Sequence, residues 1–396
     1  MDKKVAVNFK LYYFFRFMGQ GFFYPFLVLY LTSKGITGGQ LGILMMMLPL
    51  GKLLLSPVSG YMSDLYRVHK QVLIASVFTT FAGSAYLFFT APSFAVYFIS
   101  ILIITLGEVS VDTLINTLAI DYLSRSGQQT DFGRWRLWGA VGFMLGTFLL
   151  GLFELDQTLN LIPLLFAGTN LMAFFVAWSL PKASAKKPTN WLGGIKIVVE
   201  NQGFMLLLIG VVLSGLSFNI IFSYYSVYMS GIGASSWLIG LGVAMQTIVE
   251  IILSANTKAI TDRYPLRKVY LFGFALLPIR ALFYILNSSP FIGLMIQNLH
   301  GFYIFSTFII GIIVLDRNLE PEWRSTGQSY YYSAFGGFGA TIGALVAPLI
   351  FDARGISTLF TFAMVVAAAG FALISRATLK LIPTDEALSV VRADQV

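Results

Sequence analysis

Long apolar runs separated by short polar connections dominate the chain. A helix crossing a bilayer needs about 20 apolar residues. Twelve runs meet that length, at roughly 8–31, 40–62, 70–90, 95–122, 133–153, 160–180, 204–230, 236–258, 269–287, 290–315, 326–350 and 356–380. The breaks carry turn residues, as in Lys34-Gly35-Ile36-Thr37-Gly38-Gly39 and Ala91-Pro92-Ser93. The longest connection, Pro181 to Gln202, holds Lys182, Lys186, Lys187, Pro188 and Lys196 and separates six spans from six. The pattern predicts an all-α membrane protein of twelve transmembrane helices in two six-helix halves. Residues 1–181 form the first half, 182–203 a linker, and 204–396 the second half with a short tail.

Composition agrees with that reading. The chain is 57% hydrophobic and 11% charged, against roughly 25% charged in a soluble domain. Met1-Asp2-Lys3-Lys4 leads directly into a first span too long for the apolar core of a cleaved leader, so no signal peptide is expected. Cysteine is absent, which excludes disulfide frameworks and thiolate metal sites. A net charge of +8 invites a nucleic-acid partner, but the basic residues are spread over short connections. Lys3, Lys4, Lys10, Arg67, Lys70, Arg125, Lys258, Arg263, Arg267, Lys268, Arg317, Arg324, Arg376, Lys380 and Arg392 fall on one side, with only Lys34 and Arg354 on the other. The positive-inside rule then puts both termini and the linker in the cytoplasm of a multi-pass cell-membrane protein.

A few polar residues interrupt the spans. A charge at mid-bilayer costs about 2.5–3.5 kcal/mol on insertion scales, so such residues face a wet or protein interior and are functional candidates. Glu108, Asp112 and Asn116 recur at i, i+4 and i+8 in span four, on one helical face. Arg16 in span one lies at a compatible depth for a structural ion pair, or for Arg16 to modulate Asp112 while Glu108 titrates. Lys52 in span two would contact substrate, pair with an acid of the first half, or snorkel to the membrane surface. Arg134 and Arg136 open span five, with Trp138 and Phe143 beyond them as candidates for stacking on a ring. Glu250, Arg280 and His300 sit in spans eight, nine and ten and form a second constellation.

The halves echo one another. Gly60-Tyr61-Met62-Ser63-Asp64 followed by Arg67 and Lys70 ends span two, and Asp262-Arg263 followed by Arg267-Lys268 ends span eight. An acid at a helix end before a basic turn, repeated half a chain later, indicates duplication. Asp64, Lys70, Arg134, Asp262 and Arg263 are therefore candidate gate residues, or ordinary topology signals.

With these features in place, the chain resembles the major facilitator superfamily, in its lactose-permease and phenylpropionate-permease branches. The resemblance rests on Tyr13-Phe14-Phe15 through Pro25-Phe26 in span one and on Gly133-Arg134-Trp135-Arg136-Leu137-Trp138-Gly139 at the start of span five. Arg280, Leu299-His300-Gly301 and Thr326-Gly327-Gln328 follow in the same order. It implies Arg136 as the substrate-binding arginine, Arg280 as a coupling-site cation and His300 as its hydrogen-bonding partner. The family's substrate-binding acid in span four falls on Asn116 here, and the proton-carrying glutamate of lactose permease falls on Tyr303. Where counting places the family's span-eight glutamate, this chain has Thr247, with Glu250 nearby. The expected function is proton-coupled import of a small polar solute by a monomer: a sugar, a nucleoside or an aromatic carboxylate. An ion-independent facilitator or an exporter is the runner-up. No cofactor is expected, and a membrane enzyme is disfavoured because His69 and His300 lie far apart.

Overall fold

Helices begin where a short polar side chain can accept from the first unpaired backbone N–H groups. Asp2 accepts from Lys4, Ser93 from Val96 and Asn201 from Phe204, at the starts of the first, fourth and seventh helices. They end where the backbone can reverse. Arg67 takes a left-handed conformation (φ 58°) after the second helix, and Gly355 (φ 77°) splits the last long helical run. A glycine is suited to the second position because it has no β-carbon to oppose a positive φ.

The computed structural model describes residues 2–126, 132–152, 159–182, 201–319 and 324–381. Within these, α1 (residues 3–33) runs through Lys3–Phe23, a tight turn at Tyr24–Phe26 and Leu27–Ser33. It is followed by α2 (Gly38–Tyr66), α3 (His69–Phe89), α4 (Phe94–Arg125), α5 (Phe132–Leu152) and α6 (Ile162–Trp178). The second half comprises α7 (Gln202–Gly231), α8 (Ser236–Ala255), α9 (Leu266–Leu286), α10 (residues 290–318), α11 (324–354) and α12 (356–381). Gly339 and Gly370 both lie against residues 210–216 of α7, so the chain doubles back at Gly355. The expected linker falls largely on 183–200, outside the described residues.

Each of the twelve predicted spans corresponds to one of these helices. Three helices carry irregular turns. Pro25 lacks an N–H and breaks α1 into a tighter turn, and α10 and α11 each contain a π-helical stretch, at Ser306–Ile310 and Ser333–Gly339. Such stretches shift the hydrogen-bond ladder and are frequent at functional sites. Thr307, in the first of them, receives a bond on its carbonyl from the Tyr331 hydroxyl at 3.1 Å, which ties α10 to α11.

The halves meet along α5–α8 and α2–α11, with α1 touching α7. α1 begins on what we term the near side. The seams belong to the far side and reach inward to about mid-depth, where Leu53 meets Gly337. On the far side, a β-carbon at Gly240 would stand 2.5 Å from the Thr147 carbonyl oxygen, with Gly151 also within van der Waals range. Only glycine permits that approach of α5 to α8. Ser226 of α7 donates to the Pro25 carbonyl at 2.6 Å, joining the two halves at the turn within α1. Among the described residues, the near-side ends of α4 and α5 form no packed seam with those of α10 and α11.

Candidate functional site

α4 presents Glu108, Asp112 and Asn116 to α1, as their spacing predicts. Antiparallel to them, α1 presents Tyr24, Arg16 and Tyr13. Arg16 and Glu108 are both fully buried and form a two-pronged ion pair, Nη1 to Oε1 at 2.6 Å and Nη2 to Oε2 at 2.7 Å. The Tyr24 hydroxyl donates to Glu108 at 2.6 Å and Thr80 of α3 donates at 3.2 Å. Four donors thus converge on one carboxylate. Planar fork-to-carboxylate pairing of this kind is among the strongest hydrogen bonds in proteins.

Asp112 lies one turn nearer the near side and is a different kind of acid. Its carboxylate is 3.5 Å from Arg16 and 3.4 Å from Lys52 of α2, and its side chain is 36% exposed. The geometry matches the first of the two readings, a structural ion pair between α1 and α4: Arg16 clamps Glu108, and Asp112 is shared loosely between two cations. Of the three roles open to Lys52, the structure shows the pairing with a first-half acid. Asn116 accepts from the Tyr13 hydroxyl at 2.8 Å.

In the second half, Arg280 is fully buried and meets only neutral partners among the described residues. One guanidinium nitrogen lies 3.1 Å from His300 Nδ1, and the other donates to Gln297 Oε1 at 2.6 Å. Tyr284 donates to the same oxygen and lies under the guanidinium, 5.4 Å from ring centroid to Cζ. Gln297 then donates to Gln246 of α8 at 2.6 Å, so α8, α9 and α10 are joined by a chain of amides. His300 packs beside Phe218 and Phe222, and Tyr303 stacks on Phe218. The Tyr303 hydroxyl lies beside Thr307 and Ser214 without meeting either in hydrogen-bonding geometry.

Glu250 does not join that cluster. It makes no hydrogen bond or ion pair with Arg280 or His300, and the charge that acts on it is Arg136. The expected constellation of Glu250, Arg280 and His300 is corrected accordingly, because Gln246, one helical turn away on α8, occupies the contact with α10 instead. Arg136 is exposed near the start of α5 and reaches both halves electrostatically, acting on Tyr13 and Asp112 in the first and on Glu250 and Tyr332 in the second. Phe143 is half-buried two turns further along the same helix, and Trp138 is 44% exposed.

The Asp64 side chain lies outside the described residues. Lys70 donates to the Trp178 carbonyl at 2.7 Å, within its own half. Asp262 and Arg263 are exposed, with Arg263 over the Tyr264 ring at 5.7 Å, and Arg134 is exposed near the start of α5. Thr80, Gln246 and Gln297 were not singled out from the sequence. The amides carry a readable signal, a polar side chain inside an apolar run, whereas a lone threonine, whose hydroxyl can as easily bond its own helix, carries none.

Known proteins extend this geometry. The chain is 24% identical over 371 residues to the "Uncharacterized transporter YwbF" of Bacillus subtilis (strain 168), covering 92% of this chain and 91% of that protein. It is 23% identical over 353 residues to the "Putative nucleoside transporter YegT" of Escherichia coli (strain K12), covering 83% and 80%. Among solved structures it is similar to the nucleoside transporter NupG, with a TM-score of 0.79 and 19% identity, covering 96% of this chain and 98% of that one. Long apolar helices in two halves, polar clusters buried within each half and a match of residues 6–362 to the family described as "MFS_1 like family" lead to one conclusion: the chain belongs to that family and is a multi-pass membrane transporter of the major facilitator fold.

Proposed function

We propose that the protein imports a neutral polar solute, most closely a nucleoside, by alternating access, and that Arg136 is the residue around which the site is built. The supporting observation is that Arg136, exposed near the start of α5, lies within electrostatic reach of a carboxylate on each half, Asp112 and Glu250. A solute held there touches both halves and can report their relative movement. The near side corresponds to the cytoplasm on the positive-inside argument, so seams on the far side describe an inward-facing state. Residues 1–181 and 204–396 act as the two moving bodies, and one chain supplies both walls of the site, in keeping with a monomer.

Charge favours a neutral cargo over an aromatic carboxylate. Arg16 and Glu108 cancel internally. Around Arg136 the charges are Lys52 and Arg136, both positive, and Asp112 and Glu250, both negative, which sum to zero; the Arg280 cation lies apart from them among its neutral partners in the second half. Ribose hydroxyls suit a carboxylate and a guanidinium fork held together, and Tyr332, 43% exposed on the second half, offers a ring face to a base. The relatives named as nucleoside transporters point to the same class.

Proton coupling is assigned to Glu250, the carboxylate on which the substrate-binding arginine acts. Two measurements in proteoliposomes test the reading. Uridine counterflow should be present in the unaltered protein and lost in Arg136→Lys, because an ammonium cannot reproduce the planar fork; no nucleoside counterflow in the unaltered protein would end the substrate assignment. Glu250→Gln should keep counterflow while losing accumulation driven by a pH gradient, and full accumulation would move the proton elsewhere.

A further inference from the structure

Away from the transport pathway, the near-side ends of α3 and α6 enclose a groove of about 560 Å³ that opens sideways. Its walls are apolar and aromatic. Phe78 of α3 packs against Phe174 of α6 at 5.6 Å, and Phe174 against Trp178 at 5.8 Å, so a row of rings leads from the membrane interior to the near side. Phe78 and Trp178 remain 49% and 64% exposed. Ala75, small and exposed, leaves the groove open between them.

The near-side end of this groove is cationic. Lys70 and Lys182 both line it and lie within electrostatic reach of one another. Lys70 uses one of its three N–H donors on the Trp178 carbonyl, at the end of α6, where a helix presents negative partial charge. Two donors remain. Lys182 is exposed, its backbone carbonyl held by Arg125 at 2.9 Å, and its ammonium has no carboxylate partner among the described residues. Two neighbouring ammonium groups repel, and an anion between them relieves that repulsion. A tryptophan at this level marks the boundary between hydrocarbon and headgroups.

We propose that this groove binds an anionic phospholipid, its phosphate between Lys70 and Lys182 and one acyl chain lying along Ile74, Phe78 and Phe174. A basic pocket between transmembrane helices is the arrangement that holds acidic headgroups. Charge complementarity selects the headgroup, and the aromatic row receives the chain. The site would join α3 to the start of the connection between the two halves.

Native mass spectrometry of the full-length protein, titrated with phosphatidylglycerol or phosphatidylcholine, tests this. The unaltered protein should retain phosphatidylglycerol at least tenfold more tightly than phosphatidylcholine. Lys182→Gln should reduce that preference several-fold, and Lys70→Gln combined with Lys182→Gln should remove it. Ala75→Trp fills the groove while leaving both lysines and the Lys70–Trp178 bond, and should weaken phosphatidylglycerol retention tenfold. Because Lys182→Gln and Ala75→Trp spare the α6 terminus, they remain informative if the double variant misfolds. Equal retention of the two lipids by the unaltered protein, or undiminished retention in both Lys182→Gln and Ala75→Trp, would overturn the proposal.

Discussion

The two halves bury arginines in opposite ways. Arg16 faces a carboxylate that matches its fork, and the surrounding donors leave Glu108 saturated. Arg280, equally buried, faces an imidazole nitrogen, an amide oxygen and a phenol ring. The first arrangement is closed: its charges cancel and the carboxylate's acceptors are filled, so it fixes α1, α3 and α4 relative to one another. The second is open: its charge is spread through neutral groups that can change partners without separating an ion pair. An element that must reorganise during transport is better served by the second, because breaking a desolvated ion pair leaves two uncompensated charges.

Removing Glu108 tests the comparison most severely. Glu108→Ala removes the buried partner of Arg16, leaving it only Asp112 at 3.5 Å, and should lower stability by about 3 kcal/mol, read as a fall in thermal unfolding temperature in detergent. Combining it with Arg16→Met should restore a large part of that loss, since the stranded charge is then gone. If Glu108→Ala unfolds like the unaltered protein, the first-half cluster is not the closed structural unit described.

Arg280→Met should have a smaller effect on unfolding, about 1 kcal/mol, because the loss of two hydrogen bonds is offset by removal of an unpaired buried cation. Its effect should appear in transport turnover instead. A destabilisation as large as that of Glu108→Ala would erase the distinction between the halves.

The smallest change is expected at the rim of the first-half cluster. Lys52 is 37% exposed and 3.4 Å from Asp112, so Lys52→Ala should alter stability by about 0–1 kcal/mol. The same substitution should shift the apparent substrate affinity, because it unbalances the charges around Arg136. An unfolding shift with unchanged substrate affinity would place Lys52 in the scaffold with Arg16.

Most of the fold was legible because each span reports itself. Residues 95–122 must be helical and membrane-crossing whatever their neighbours are, since an apolar run of that length has no other way to satisfy its backbone in lipid. The alignment of Glu108, Asp112 and Asn116 follows from helical spacing alone. Partner choice was not legible in the same way. Glu108 and Asp112 are one turn apart, and an offset of a few ångströms between α1 and α4 decides which of them receives Arg16. Glu250 and Gln246 are also one turn apart on α8, and the amide, not the acid, meets Gln297.

By itself, then, the sequence determined the class of protein, the number of its spans, their order and the set of polar residues that had to face inward, because hydropathy and helical period are properties of single segments. The tertiary structure decided which of those residues meet. It sent Arg16 to Glu108, left Arg280 among neutral groups, and kept Glu250 out of the cluster that Arg280 forms with His300 and Gln297. It also decided that the halves touch on the far side, through Gly240 against Thr147 and Ser226 against Pro25. Those outcomes depend on packing between helices distant in the chain, where a shift of one turn changes every partner, and no local pattern encodes that shift.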